Sequence, residues 1–187
     1  MPQLSHSTRY AVMIDLIKRL RAKGSWCGET HIQKAAFILQ QISKSKLGYK
    51  FVLYKHGPYS FELKDELTAM KASEIIEFTF PQQGYGPSIK PTRFGERLYE
   101  VNKAEVGKYA KISDFVANWF GSNDVRYLER IATAYFVSCK HIREPVISRA
   151  QRLVTLKPHV DLVTAEEAVR IVDQKREEAR MIEGQAA

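Results

Sequence analysis

The sequence predicts an α+β chain that is mainly helical, with a small β-hairpin in its first half and a wholly helical second half. Three observations carry this. Apolar residues recur at helical spacing over most of the 187 residues. Two short runs rich in aromatic and β-branched residues interrupt that pattern, each followed by a Gly/Pro turn, between Tyr49 and Lys90. Beyond Lys103 no strand signal recurs.

The first helix follows from Tyr10, Met13, Ile14, Ile17 and Leu20 on one stripe, with Ser5 or Ser7 as cap and Gly24 as stop. Its other face, Arg9, Lys18, Arg19, Arg21 and Lys23, is basic. A second helix starts after Gly28, where Thr30 and Gln33 have capping-box spacing and Ile32, Ala35, Ala36, Leu39 and Ile42 form the apolar stripe; it ends near Ser45. Residues 49–55 read as a strand, and His56-Gly57-Pro58-Tyr59-Ser60 breaks it. Ser60 caps a short third helix through Met70 with Phe61, Leu63, Leu67 and Met70 facing inward. Residues 75–80 and 88–90 form the hairpin around a turn at 81–87, and Thr92 opens a helix through Phe94, Leu98 and Val101. Further helices are expected over Ile112–Phe120, Val125–Cys139, Pro145–Leu153 and from Thr164, where Glu167 completes a capping-box spacing.

Helix, helix, strand, helix, hairpin, helix is the element order of a winged-helix domain. Residues 1–103 are therefore expected to form a winged-helix-like part, and residues 104–187 a C-terminal helical extension packed on it as one compact unit. The length is that of about one domain, enough to bury roughly 70% of the unfolded surface without disulfides or metals.

Composition excludes several classes. With 44% hydrophobic and 11% aromatic residues, 10 Gly and 7 Pro, the chain is neither disordered nor fibrous. No apolar run approaches the 18 or so residues of a membrane span, and the polar N-terminus lacks a signal-peptide core. A cytoplasmic protein without membrane association is expected. Cys27 and Cys139, far apart, read as reduced buried thiols. The net charge of +8 is unevenly spread: residues 1–103 hold 16 basic and 9 acidic side chains, residues 104–187 hold 13 and 12.

Three segments then carry a resemblance: residues 28–39 (Gly-Glu-Thr-His-Ile-Gln-Lys-Ala-Ala-Phe-Ile-Leu), residues 54–60 (Tyr-Lys-His-Gly-Pro-Tyr-Ser) and residues 91–98 (Pro-Thr-Arg-Phe-Gly-Glu-Arg-Leu). Together they resemble the Panacea (SocA-like) antitoxin domains and the related YwgA-like uncharacterised family, which pair a Lys-Leu-Gln-Lys helix with a Gly-Pro turn at similar spacing. The likeness covers about Thr30 to Leu98 and continues more faintly through Phe115 to Phe136. It implies a helical or winged-helix-like domain that grips other proteins as an antitoxin, or as an adaptor delivering its partner to a protease.

The candidate partner-binding residues are Gln33, Lys34, Tyr54, His56 and Tyr59, with Gly57, Pro58 and Ser60 as the structural turn. Gln33 and Lys34 sit off the apolar stripe of their helix and should face outward; capping explains Gln33, and solvation explains Lys34, without any function. Tyr54, His56 and Tyr59 cluster around a rigid turn, which suits an exposed aromatic anchor. The alternative is a winged-helix DNA-binding regulator using Lys44, Lys46, Lys50, Lys55, Lys90 and Arg93 on phosphate backbone. Against it, the helix that would read bases carries Glu62, Asp65 and Glu66 against Lys64 and Lys71. No catalytic spacing occurs among the five histidines, the two cysteines or the glycines, so no enzyme activity, cofactor or metal is expected. The expected function is non-catalytic protein binding to a toxin or phage-defence protein, with nucleic acid as the alternative partner and the oligomeric state open.

Overall fold

The computed structural model describes residues 4–43, 47–80 and 86–184. The α+β, mainly helical class holds: the described residues form α1 (His6–Ala22), α2 (Glu29–Ile42), β1 (Val52–Tyr54), β2 (Gly57–Tyr59), α3 (Phe61–Ala72), β3 (Ile76–Thr79), β4 (Ser88–Pro91), α4 (Arg93–Val101), α5 (Lys103–Gly107), α6 (Ala110–Phe120), α7 (Val125–Lys140), α8 (Val146–Leu156) and α9 (Leu162–Gly184). None of these helices is long and apolar enough to cross a membrane.

α1 runs through the core. Ala11 to Ile17 are buried on every side, including Asp15, whose carboxylate accepts from Arg19 Nε at 2.8 Å. Four residues of the basic face tie α1 to other elements. Arg9 is buried against Glu66 of α3, which also accepts from Tyr49 Oη at 2.5 Å. Lys18 donates to Glu96 of α4 at 2.5 Å, Arg19 to Asp114 of α6 at 2.6 Å, and Arg21 to Ser88 of β4 at 2.8 Å. A buried charge is tolerated only when paired, so these contacts fix how α1 sits among its neighbours.

The strands form two separate antiparallel ribbons. β3 pairs with β4 in the register Ile76↔Pro91 to Thr79↔Ser88, as the hairpin reading expected; its turn at 81–85 lies outside the described residues. The other ribbon was not expected. Residues 56–60 are not a plain break, because Gly57–Tyr59 folds back on β1 with Val52 opposite Tyr59 and Tyr54 opposite Gly57. Gly57 stands at φ +89°, the left-handed region that closes a short hairpin after the Lys55–His56 turn. β1 pairs with β2 and does not join β3–β4.

Caps set the helix starts. Ser5, Ser60, Thr92 and Asp124 accept from Thr8, Leu63, Gly95 and Tyr127 amides respectively. α2 departs from expectation: its N-cap is Gly28, without a side-chain cap, so Thr30 and Gln33 form no capping box. α9 starts two residues before Thr164, with Asp161 accepting from the Thr164 amide at 2.8 Å. Gly95 opens α4 against β3; a Cβ there would collide with the Ile75 carbonyl. One hydrophobic cluster runs from Ala11 through Phe37, Phe120 and Leu128 to Ala179, and so spans both halves of the chain.

Candidate functional site

The three resemblance segments meet a second surprise at α2. Gln33 and Lys34 face inward, fully buried and 1% exposed respectively, because β2, α6 and α7 all pack against α2. This corrects the expectation that both present themselves to a partner. Gln33 makes a two-way clamp: its Nε2 donates to Ser60 O at 2.9 Å, and the Ser60 amide donates to its Oε1 at 2.9 Å. The amide thus completes backbone pairing where β2 ends and α3 begins.

Lys34 reaches toward the Gly57 backbone and Thr133; its Cε is 3.6 Å from where a Gly57 Cβ would stand. Burial pushes its ammonium pKa down to about 8, aided by the nearby Lys157 charge and opposed by Glu129 and Glu29. Lys157, 6% exposed, donates to Glu129 Oε1 and to Lys55 O, both at 2.5 Å. His56, on the turn itself, is exposed and lies 3.2 Å from Glu129 Oε2 through Nδ1. Lys157 and His56 together hold the Glu129 carboxyl below its ordinary range despite partial burial.

The other predicted residues gather on the outer side of the same hairpin. Tyr54 is 57% exposed, and its ring lies 5.6 Å from Tyr59 and 5.8 Å from Phe61, with Tyr59 and Phe61 at 5.2 Å. Tyr59 Oη donates to Glu29 at 2.8 Å, which fixes the central ring; burial, with this bond, pushes its pKa up. Phe61 was expected to face inward but is 52% exposed and completes the trio. Pro58 and Ser60 are buried beneath it, and Ser60 caps α3 as expected.

The alternative basic set is not brought together. Lys44 and Lys46 lie outside the described residues. Lys50 and Lys55 flank β1, whereas Lys90 on β4 pairs with Glu77 at 2.9 Å and Arg93 opens α4, so the four are spread over separate elements. α3 presents Glu62 and Asp65 beside Lys64 to solvent. Cys27 is buried as expected, its thiol pushed up to about 12, but Cys139 is exposed near Arg176 on α9. Among the described residues no group of three or more His, Cys, Asp and Glu is placed to hold a metal ion.

Sequence reasoning missed the far wall of the site. Beneath the Lys55–His56 turn lies a cavity of about 780 Å³, closed by Arg126, Glu129 and Arg130 of α7 and by Lys157 to Asp161 between α8 and α9. The α7 residues come at i, i+3 and i+4, a faint sign of one face; nothing in the sequence joins them to a turn about 70 residues earlier. No family model matches the chain, and no curated protein matches it.

Proposed function

We propose that this chain is a non-catalytic protein-binding module, an antitoxin or adaptor that neutralises or delivers a partner protein of a toxin or phage-defence system. The observation that carries the reading is the exposed Tyr54–Tyr59–Phe61 trio on a hairpin anchored from behind. Phe61 meets both tyrosine rings edge to face, Tyr59 is tied to Glu29, and Gln33 clamps the end of β2. Large rings fixed before binding lose little entropy on association, which is the character of an interface anchor. The resemblance of residues 30–98 to Panacea domains supports the same reading.

Co-expression with the products of adjacent genes, followed by affinity capture and a growth assay, tests it. A toxic neighbour should copurify and lose its toxicity, and Tyr54→Ala with Phe61→Ala should weaken capture at least about tenfold, as truncation of interface anchors does. Growth inhibition by every toxic neighbour that persists in the presence of this chain, with no copurification, overturns the reading. Capture that instead fades as salt rises and is lost on nuclease treatment would point to the DNA-binding alternative.

A further inference from the structure

The cavity beneath the Lys55–His56 turn has a charge pattern that its own residues do not neutralise. Lys55, Arg126, Arg130 and Lys157 line it against two carboxylates, Glu129 and Asp161. Both carboxylates are engaged: Glu129 by Lys157 and His56, and Asp161 by the Thr164 amide and hydroxyl at 2.8 and 2.7 Å. Arg126 and Arg130 have no ion-pair partner among the described residues; Arg130 rests over the Tyr127 ring at 5.8 Å. Lys34 is a further buried cation, within the electrostatic reach of Glu129, Lys157 and Glu29.

We propose that this cavity binds a small ligand carrying two or more adjacent phosphoryl groups. Cations spread over two α7 positions, a turn and the α8–α9 connection line one space, and of these four only Lys157 has a carboxylate partner among the described residues. Arginine forks and lysine ammonium groups supply donors to several oxygens at once. The volume falls in the range of small-molecule sites. Its lining holds no Phe, Tyr or Trp on which a base could stack, so the phosphoryl groups carry the recognition. A pocket of this size, lined by the nearly buried Lys157, admits a small anion more readily than the backbone of a duplex. Lys157 bonds Lys55 O, so the ligand would touch the turn of the hairpin whose outer side carries the aromatic trio. The proposal does not rest on the protein-binding reading.

Calorimetric titration of the full chain with inorganic pyrophosphate, ADP, adenosine and sulfate tests it. Pyrophosphate and ADP should bind alike, and adenosine should not bind. ADP binding far more tightly than pyrophosphate would overturn recognition through the phosphoryl groups. The paired variant Arg126→Gln with Arg130→Gln, at surface-accessible positions, should weaken pyrophosphate at least tenfold while leaving the circular dichroism spectrum and Tm unchanged. Amide shift changes on pyrophosphate addition should centre on residues 55–57 and 157–161. Absence of pyrophosphate binding at millimolar concentration and low salt, equal binding by sulfate, or binding untouched by the paired variant would each overturn it. Partner capture is not read in these measurements, so their failure leaves the function proposed above standing.

Discussion

Lys34 shows what a single side chain can hide from its sequence. Ile32, Ala35, Ala36, Leu39 and Ile42 around it read as a stripe with a polar back, and a polar back reads as solvent. Periodicity reports which face is apolar, but it does not report that β2 and α7 cover the other face as well. The consequence is measurable. An ammonium whose folded pKa is about 8 binds its proton less tightly than in the unfolded chain, where the ordinary value is 10.5. Unfolding therefore takes up a proton between about pH 8 and 10.5. The destabilisation from this group is fully present below pH 8 and fades as pH rises through that window. Lys34→Met should raise Tm at pH 7, by up to roughly 3 kcal/mol of stability on the usual conversion of about 1.4 kcal/mol per pKa unit. That advantage should shrink steadily above pH 8. Glu129, Lys157 and Glu29 act on the ammonium and remain in both proteins, as do Cys27 and Tyr49, whose raised pKa values weaken both at higher pH. Thermal melts of the two proteins from pH 7 to 9.5 check this; a Tm gap that is constant across the range rejects the assignment.

The elements divide by how local their causes are. α1, α3, α4, α6, α7 and α8 were legible because caps and apolar spacing lie within each segment, and Ser5, Ser60 and Thr92 cap where the sequence placed them. The β1–β2 ribbon was not legible, since Gly57-Pro58 is a strong break signal and only the return of the chain shows Gly57 as the left-handed residue of a hairpin. A ribbon of three-residue strands is marginal alone and depends on what braces it. Here the brace is Gln33, which exchanges two hydrogen bonds with Ser60. Gln33→Leu keeps the volume and removes both, leaving the Ser60 amide and carbonyl buried without those partners, at a cost of about 1–3 kcal/mol for each such group. Hydrogen exchange of amides 57–63 should accelerate markedly more than exchange in α1 or α7. Uniform acceleration throughout the chain would show instead that the clamp stabilises the whole fold and not the hairpin.

At the scale of the whole molecule, the charge asymmetry between residues 1–103 and 104–187 has no counterpart in the packing. Arg9 to Glu66 and Lys18 to Glu96 pair charges within the first half and leave its excess unchanged, whereas Arg19 to Asp114 links the two halves. The clearest unneutralised cavity draws Lys55 from the first half and Arg126, Arg130 and Lys157 from the second, which neither half's sequence could reveal. A shared core means that disturbing the second half should unfold the first. Arg149, nearly buried, bonds Asp173 of α9 through two parallel contacts of 2.6 Å and Ser138 of α7 at 3.1 Å, so one guanidinium ties α7, α8 and α9. Removing the carboxylate strands a buried cation, a change that costs about 3–5 kcal/mol. Asp173→Ala should therefore lower Tm strongly, and the loss should be shared by the N-terminal half. Trp26 stands before α2 and Trp119 in α6, so single-tryptophan forms report the two halves separately. With Asp173→Ala their melting curves should coincide at the lowered Tm, as in a two-state transition. If the Trp26 signal kept its original midpoint while Trp119 melted early, residues 1–103 would be an independent domain, and the continuous core from Ala11 to Ala179 would not act as one cooperative unit.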